Sequence, residues 1–319
     1  MISDSDWEQR IGRRLRLRDL YVVFTVAECG SMAKAAERLR VTQSAISQMI
    51  ADIEHELGVR LFDRSRRGVE ATIYGQVLIN RGKAAFDELR HGIQEINYLR
   101  NEGVGEIRIG CPETIAASVL PTALDTFSRQ WPGVFFEVDT FVGSASAAKL
   151  RDRSIDLVIV REGPALDALA ASEEFEVHRI FEDRLCVVTG IESPWAHLKR
   201  NILAGLADAP WIVLPYGWGE EVIPSAFQAR GLPPPRIVLK TFSMHLRLHL
   251  LATGRFVSAL PASVLRLHAQ RFSLKELPVK LPPHPYAVAI VTLKNRTLSP
   301  LVDQFIQSAT RELERLILP

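Results

Sequence analysis

The sequence predicts an α/β chain with a helical head: a winged helix-turn-helix, then one long helix, then two α/β units in series. Three observations carry that expectation. Residues 17–58 hold short helical periods punctuated by cap and stop residues. From Ile73 to about Asn101 no proline interrupts the pattern, and the stretch ends at Glu102-Gly103-Val104-Gly105. From Ile107 onward short apolar strands alternate with helical stretches, the texture of βαβ units.

The first helix is read over Leu17 to Gly30, with Leu17, Leu20, Val23, Phe24 and Ala27 on one face and Gly30 as the stop. Ser31 suits the N-cap of a second, short helix holding Ala35, Ala36 and Leu39. Thr42 suits the cap of a third, whose Ala45, Ile46, Ile50, Ile53 and Leu57 turn inward before Gly58. Small alanines where two helices cross, joined by a tight turn, read as a helix-turn-helix. The first turn of the later helix offers Gln43, Ser44, Ser47 and Gln48, uncharged groups able to match donors and acceptors on base edges. Leu61-Phe62 is a strand signal, Asp63 to Gly68 a basic loop, and Val69 to Thr72 a returning strand. Together they read as a β-wing whose arginines straddle phosphates.

Thr72 suits the cap of the long helix. Ile79, Phe86 and Ile93 fall on one heptad position, and Gly82, Leu89 and Ile96 on another, a short seam of the kind that pairs helices across a dimer or packs on its own chain. Beyond the hinge, strands are expected at Ile107–Gly110, Phe135–Val138 and Asp156–Val160, with helices at about 116–130 and 144–150 between them. A second set follows at Leu185–Thr189, Trp211–Leu214, Ile237–Leu239 and Phe256–Ala259. The alternation implies parallel sheets in two lobes.

Composition sets the outer bounds. The chain has 319 residues, 47% apolar and 24% charged, ordinary for about two soluble domains. No run of 18 apolar residues occurs, so no membrane partner is expected. Met1 to Arg18 is acidic and then basic, unlike a secretory leader. Cys29, Cys111 and Cys186 are odd in number and far apart, which suggests neither a disulfide framework nor a metal site and fits a reducing cytoplasm. Net charge is only +2, but residues 10–75 carry 12 Lys and Arg against 8 Asp and Glu. From Glu106 onward the balance is 23 against 22, so the basic surplus is confined to the head.

The segment Gly30 to Gln48 (GSMAKAAERLRVTQSAISQ) and its continuation Ile53 to Arg64 (IEHELGVRLFDR) resemble the DNA-binding signature of LysR-type transcriptional regulators. The dense match covers about 60 residues; the remainder agrees in architecture. The resemblance implies an extension at 1–16, a winged helix-turn-helix at 17–72, a dimerising linker helix at 73–102 and a hinge at 103–105. It further implies a Rossmann-like effector domain at 106–319, similar to type II periplasmic binding proteins. One lobe then covers about 106–181 and 273–319, the other about 182–272. Implied with it are a homodimer or homotetramer on inverted-repeat promoter DNA, a small-molecule effector between the lobes, and RNA polymerase as a further contact. By motif position Gln43, Ser44, Ser47 and Gln48 are base and phosphate readers, with Thr42 beside them mainly a cap. Arg64, Arg66 and Arg67 are wing contacts, and Ser31 and Lys34 lie near backbone. Glu70-Ala71-Thr72 departs from the usual apolar-Leu-Thr ending of the wing.

Ligands of open parallel sheets sit beyond the carboxyl ends of strands, where helix N-termini present free amides. That places Thr114, Ser144, Ser146 and Arg161 around an effector from the first lobe, with pairing to the adjacent lobe the other role open to Arg161. Tyr216, Trp218, Phe242 and Ser243 come from the second. A hydroxyl- and amide-rich cradle with an aromatic wall suits an organic or aromatic carboxylate, with a sugar as the other chemistry. His245 and His249 face the same way on one helix, but no third ligand accompanies them, so no metal is expected. Cys111 lies near the same cleft, which leaves thiol sensing as a minor alternative. A solute-binding protein without sequence-selective DNA recognition is the alternative function. An enzyme is not expected, since neither a Gly-x-Ser-x-Gly elbow, a phosphate loop, a His-Glu-x-x-His pair nor a dinucleotide fingerprint occurs, and no cofactor is implied.

Overall fold

The computed structural model describes residues 15–65, 68–100, 103–141, 143–199, 202–215, 218–281 and 285–317. The chain divides into two compact units, residues 1–90 and 91–319. In the first, α1 (Leu17–Cys29), α2 (Met32–Leu39) and α3 (Gln43–Leu57) stop and start where cap chemistry dictates. The Ser31 hydroxyl accepts from the Lys34 N–H and that of Thr42 from the Ala45 N–H, while Gly30, Arg40 and Gly58 close the helices in left-handed conformation. Val23, Val26, Ala35, Ala36, Ile46, Ile50 and Ile53 bury together, and Leu61 and Phe62 seal them. The wing is an antiparallel pair, β1 (Phe62–Ser65) with β2 (Gly68–Ala71), in the register Phe62↔Ala71 and Arg64↔Val69.

The long helix α4 spans Ile73–Arg100, with the Thr72 hydroxyl accepting from the Gly75 N–H as expected of a cap. Its seam is not one continuous stripe. Ile79 joins the first unit's core, and Phe86 meets Phe24 edge-on with ring centroids 5.5 Å apart. At Gly82 an added Cβ would lie 2.7 Å from the Phe24 ring, so the glycine admits the close approach of α1. Only Leu89, Ile93, Ile96 and Leu99 further along are exposed. The seam expected to pair two chains is therefore half spent on the head itself.

The second unit holds two five-stranded sheets. The first runs β4 (Val134–Thr140), β3 (Gly105–Cys111), β5 (Leu157–Arg161), β12 (Tyr286–Leu293), β6 (Phe175–Asp183). The second runs β11 (Leu274–Leu277), β7 (Leu185–Gly190), β10 (Val257–Pro261), β8 (Trp211–Val213), β9 (Ile237–Lys240). Between strands lie α5 (Glu113–Ala116), α6 (Leu120–Gln130), α7 (Ser146–Arg151) and α8 (Pro164–Ala170) in the first lobe. The second lobe adds α9 (Ile202–Gly205), α10 (Trp218–Gln228), α11 (Met244–Ala252) and α12 (Ala262–His268), and α13 (Pro300–Ile317) packs back on the first.

Several expectations are corrected. The sheets are mixed: β12 is antiparallel to β5 and β6, and β7 to β10 and β11. The helix expected at 116–130 is two, because Pro121 opens a new helix in place of donating to the old one. The strand β11 belongs to the second sheet, so the chain returns to the first lobe after Leu277, not near residue 272, and β6 keeps the first lobe to Asp183. Of the hinge, Gly103 takes φ +83 with Trp131 against it, whereas Gly105 already belongs to β3.

One buried ion cluster ties the first lobe. Asp156 is 2% exposed and Arg296 fully buried; their Oδ1–Nη2 separation is 2.8 Å, matched by Arg108 Nη2 at 2.8 Å. Burial works against the Asp156 carboxylate, but the hydrogen bonds and charges of Arg108 and Arg296 outweigh it and hold the carboxyl below its ordinary value. Asp156→Ala is expected to cost about 3–5 kcal/mol at neutral pH, since it removes the carboxylate that two guanidiniums share, one of them fully buried. A depressed carboxyl contributes stability that is full above about pH 4 and lost as pH falls through the lower folded value. Urea titrations across that range measure it; equal stability of parent and variant near neutrality contradicts the assignment.

Candidate functional site

In the first unit, the N-terminal turns of α3 place Gln43, Ser44 and Gln48 in solvent, with Ser47 half-buried. Their partners differ. Gln48 Nε2 donates to Asp52 Oδ1 at 2.7 Å, and the Thr42 and Ser44 hydroxyls share a hydrogen at 3.0 Å. Thr42 is a cap, bonded to the Ala45 N–H at 3.2 Å, and Ser31 accepts from Lys34 N at 3.5 Å. Lys34 on α2 and Arg64 on the wing are exposed. Arg66 and Arg67 lie outside the described residues. The wing is anchored to α3 by Glu54, whose Oε1 accepts from the Leu61 and Phe62 amides at 2.7 and 3.1 Å.

In the second unit, the carboxyl ends of the parallel strands from both lobes converge on one cavity of about 660 Å³. Its wall is mostly apolar, with Phe141, Val160, Leu185, Ile212, Leu214 and Phe242 among the lining. Thr114, Ser144, Arg161 and Phe242 are among its lining residues. Ser146 is fully buried and off the wall, and Ser243 is the cap of α11, accepting from Leu246 N at 3.3 Å. Both leave the expected site. Tyr216 lies outside the described residues, and Trp218 opens α10.

Charge is what the wall adds. Arg161 Nη1 donates to the Thr114 hydroxyl, and Nη2 lies 3.3 Å from the Thr114 carbonyl, 3.4 Å from Ser118 Oγ and 3.8 Å from Asp183 Oδ2. Arg247, from α11 of the other lobe, is 2% exposed. Its Nη2 donates to Ser258 Oγ at 2.8 Å and to the Ala259 carbonyl, but its Nε has no acceptor. Among the described residues no carboxylate oxygen pairs with it within 4 Å. Burial pushes its pKa down to about 10, opposed by the charge of Glu113. Glu113 also lines the cavity, and its Oε1 accepts from the Met244 N–H at 2.7 Å.

Arg247 and Glu113 are the residues that sequence reasoning passed over. The signal for Arg247 was present: Met244, Leu248 and Leu251 form the buried stripe of α11, and position 247 falls on it. His245 and His249 share the exposed face of the same helix, their rings 4.3 Å apart and His249 against Phe272. Burial raises the Cys111 thiol to about 12, so it stays protonated near neutrality.

Comparison with known proteins agrees with this division. Residues 17–76 match the family model described as a bacterial regulatory helix-turn-helix protein of the lysR family, and residues 100–314 match the LysR substrate binding domain. The regulator GbpR of Azospirillum brasilense is 29% identical, over 90% of this chain and 83% of its own. A probable nitrogen assimilation transcriptional activator of Synechococcus elongatus is 30% identical, over 68% of this chain and 70% of its own. Full-length CbnR in complex with its target DNA shares the fold with a TM-score of 0.63 at 21% identity, covering 93% of this chain and 99% of that one.

If Glu54 holds the wing, Glu54→Ala should cost about 1–3 kcal/mol by leaving two backbone donors without their acceptor. Hydrogen exchange at the Leu61 and Phe62 amides should accelerate with it. Unchanged exchange at both amides contradicts the anchoring role.

Proposed function

This chain belongs to the LysR-type transcriptional regulators, DNA-binding proteins with a substrate-binding domain, and from that premise we propose how it reads DNA and what it senses. A homodimer or homotetramer in the cytoplasm seats α3 of each paired head in successive major grooves of an inverted-repeat promoter site. Gln43, Ser44, Ser47 and Gln48 face base edges and phosphates. Arg64, Arg66 and Arg67 follow the backbone from the wing, with Ser31 and Lys34 beside it. The effector is an organic acid with an apolar, preferably aromatic, body bound between the lobes. RNA polymerase receives the signal, and the protein itself performs no catalysis. No helix among the described residues is long and apolar enough to cross a membrane.

The observation that carries the effector class is Arg247: a buried guanidinium in an apolar wall, without a paired carboxylate among the described residues. A sugar would bury its hydroxyls against that wall with few partners and leave the charge unanswered. An acid answers it, and its apolar body fills the rest of the cavity. Such a ligand shifts the protein only as far as it favours one arrangement of the lobes over another.

Fragments selected from the source genome supply the operator. On it, Gln43→Ala should lose about 1–3 kcal/mol of binding and lose far less on random DNA. Arg64→Ala should weaken both and reduce the salt slope by about 1. Equal losses on both DNAs for Gln43→Ala remove it from the base readers. Titration of organic acids during footprinting should alter the protected region, and a footprint unmoved by every acid that binds overturns the effector reading.

A further inference from the structure

The helix α11 has nine residues, and its first backbone donor does not face open water. Met244 is 1% exposed, and its N–H is taken by the carboxylate of Glu113 from the opposite lobe, at 2.7 Å. One turn further along the same helix stands Arg247, its Nε without an acceptor and its side chain in the same cavity wall. A carboxylate, a helix N-terminus and a buried guanidinium thus share one corner of the cavity. The protein supplies the carboxylate itself, yet not close enough to pair with the guanidinium.

We propose that Glu113 is a built-in competitor for the effector's carboxylate, holding the N-terminus of α11 until a ligand acid takes that place and reaches Arg247 as well. The inference rests on the organic-acid reading above and adds how occupancy is sensed. An incoming carboxylate at this corner gains the Met244 N–H, the positive end of the helix dipole and the guanidinium. Two carboxylates cannot share the corner without strong repulsion, so Glu113 is expelled. Its bond to Met244 is a direct link between lobes, and so is the bond of His268 Nε2 to the Ala117 carbonyl at 2.7 Å. Displacement breaks the first and leaves the second, so the ligand changes how one lobe is tethered to the other. The acid's body sets its affinity through the apolar wall; its charge operates the tether.

Chemical rescue tests this on the full-length protein with acetate as the probe. In Glu113→Ala the corner lacks its resident carboxylate, and acetate should bind there. The unfolding midpoint should rise saturably by about 3–6 °C relative to sodium chloride at equal ionic strength. The parent, with Glu113 in place, should shift by less than about 1 °C. Adding Arg247→Met to Glu113→Ala should abolish the rescue. Should Glu113→Ala fail to fold, Glu113→Gln keeps an acceptor for Met244 without the charge, and its response to acetate should lie between the two. Equal acetate responses in parent and variants, or rescue that survives Arg247→Met, overturn the competitor role. Because the readout uses no DNA, a failed rescue removes Glu113 from this role and leaves the organic-acid reading to the footprint.

Discussion

An arginine removed from water with no carboxylate oxygen paired to it within 4 Å among the described residues is the constraint around which the effector domain is arranged. Desolvation of a guanidinium is costly, and a neutral hydrogen bond to Ser258 or to the Ala259 carbonyl answers only part of it. The apolar lining that surrounds Arg247 makes the cost larger, and the same lining makes an arriving anion more valuable there than it would be at a surface. Arg161 shows the contrast. It lines the same cavity from the other lobe, but Thr114, Ser118 and Asp183 surround its head group, so it serves as a brace for the first lobe's wall. Each guanidinium has a buried Nε without an acceptor, but only that of Arg161 has a carboxylate oxygen within 4 Å among the described residues.

The fold brings these groups together by topology. In each lobe the parallel strands run toward the cavity, so β3, β4 and β5 deliver Thr114, Ser144 and Arg161 at their carboxyl ends, while β8, β9 and β10 deliver Leu214, Phe242 and Pro261. The antiparallel strands β7 and β12 begin at the same end, where Leu185 and Tyr286 line the cavity. The chain crosses between lobes at Arg184 and again after Leu277, and the Arg184 guanidinium bonds both carboxylate oxygens of Glu276 across the two neighbouring passages. The head is built on a different logic. There the caps Ser31, Thr42 and Thr72 set helix starts, Glu54 fixes the wing, and the exposed side chains of α3 are left to meet a partner.

Much of this was legible in the residues. Cap-to-stop spacing located α1 to α3 within a residue or two, and the polar first turn of α3 stood out because every inward position nearby was apolar. Strand ends placed Thr114, Ser144, Arg161 and Phe242 at the cavity. What escaped has physical reasons. The strand β6 lacks clean alternation because a register shift opposite Val288 and Ala289 leaves Ile180 and Phe181 both buried. The strand β12 is buried from Tyr286 to Thr292, so no alternation marks it as a strand. Heptad spacing leaves open whether the seam of α4 pairs chains or packs on its own; that Gly82 is the place where Phe24 enters is something only a contact distant in sequence reveals. Arg247 carried the helical phase of a core residue and the chemistry of a surface one; its meaning depended on a cavity assembled from both lobes.

On the proposed reading, charge at Arg247, and not the shape of the apolar wall alone, selects what enters the cleft. Matched pairs of aromatic acids and their carboxamides separate the two, since each pair differs little in volume and apolar area. Calorimetric titration of the full-length protein should detect binding of the acids and at least tenfold weaker binding of the amides, in line with the worth of a charge-assisted hydrogen bond. Acids and amides that bind alike would contradict it.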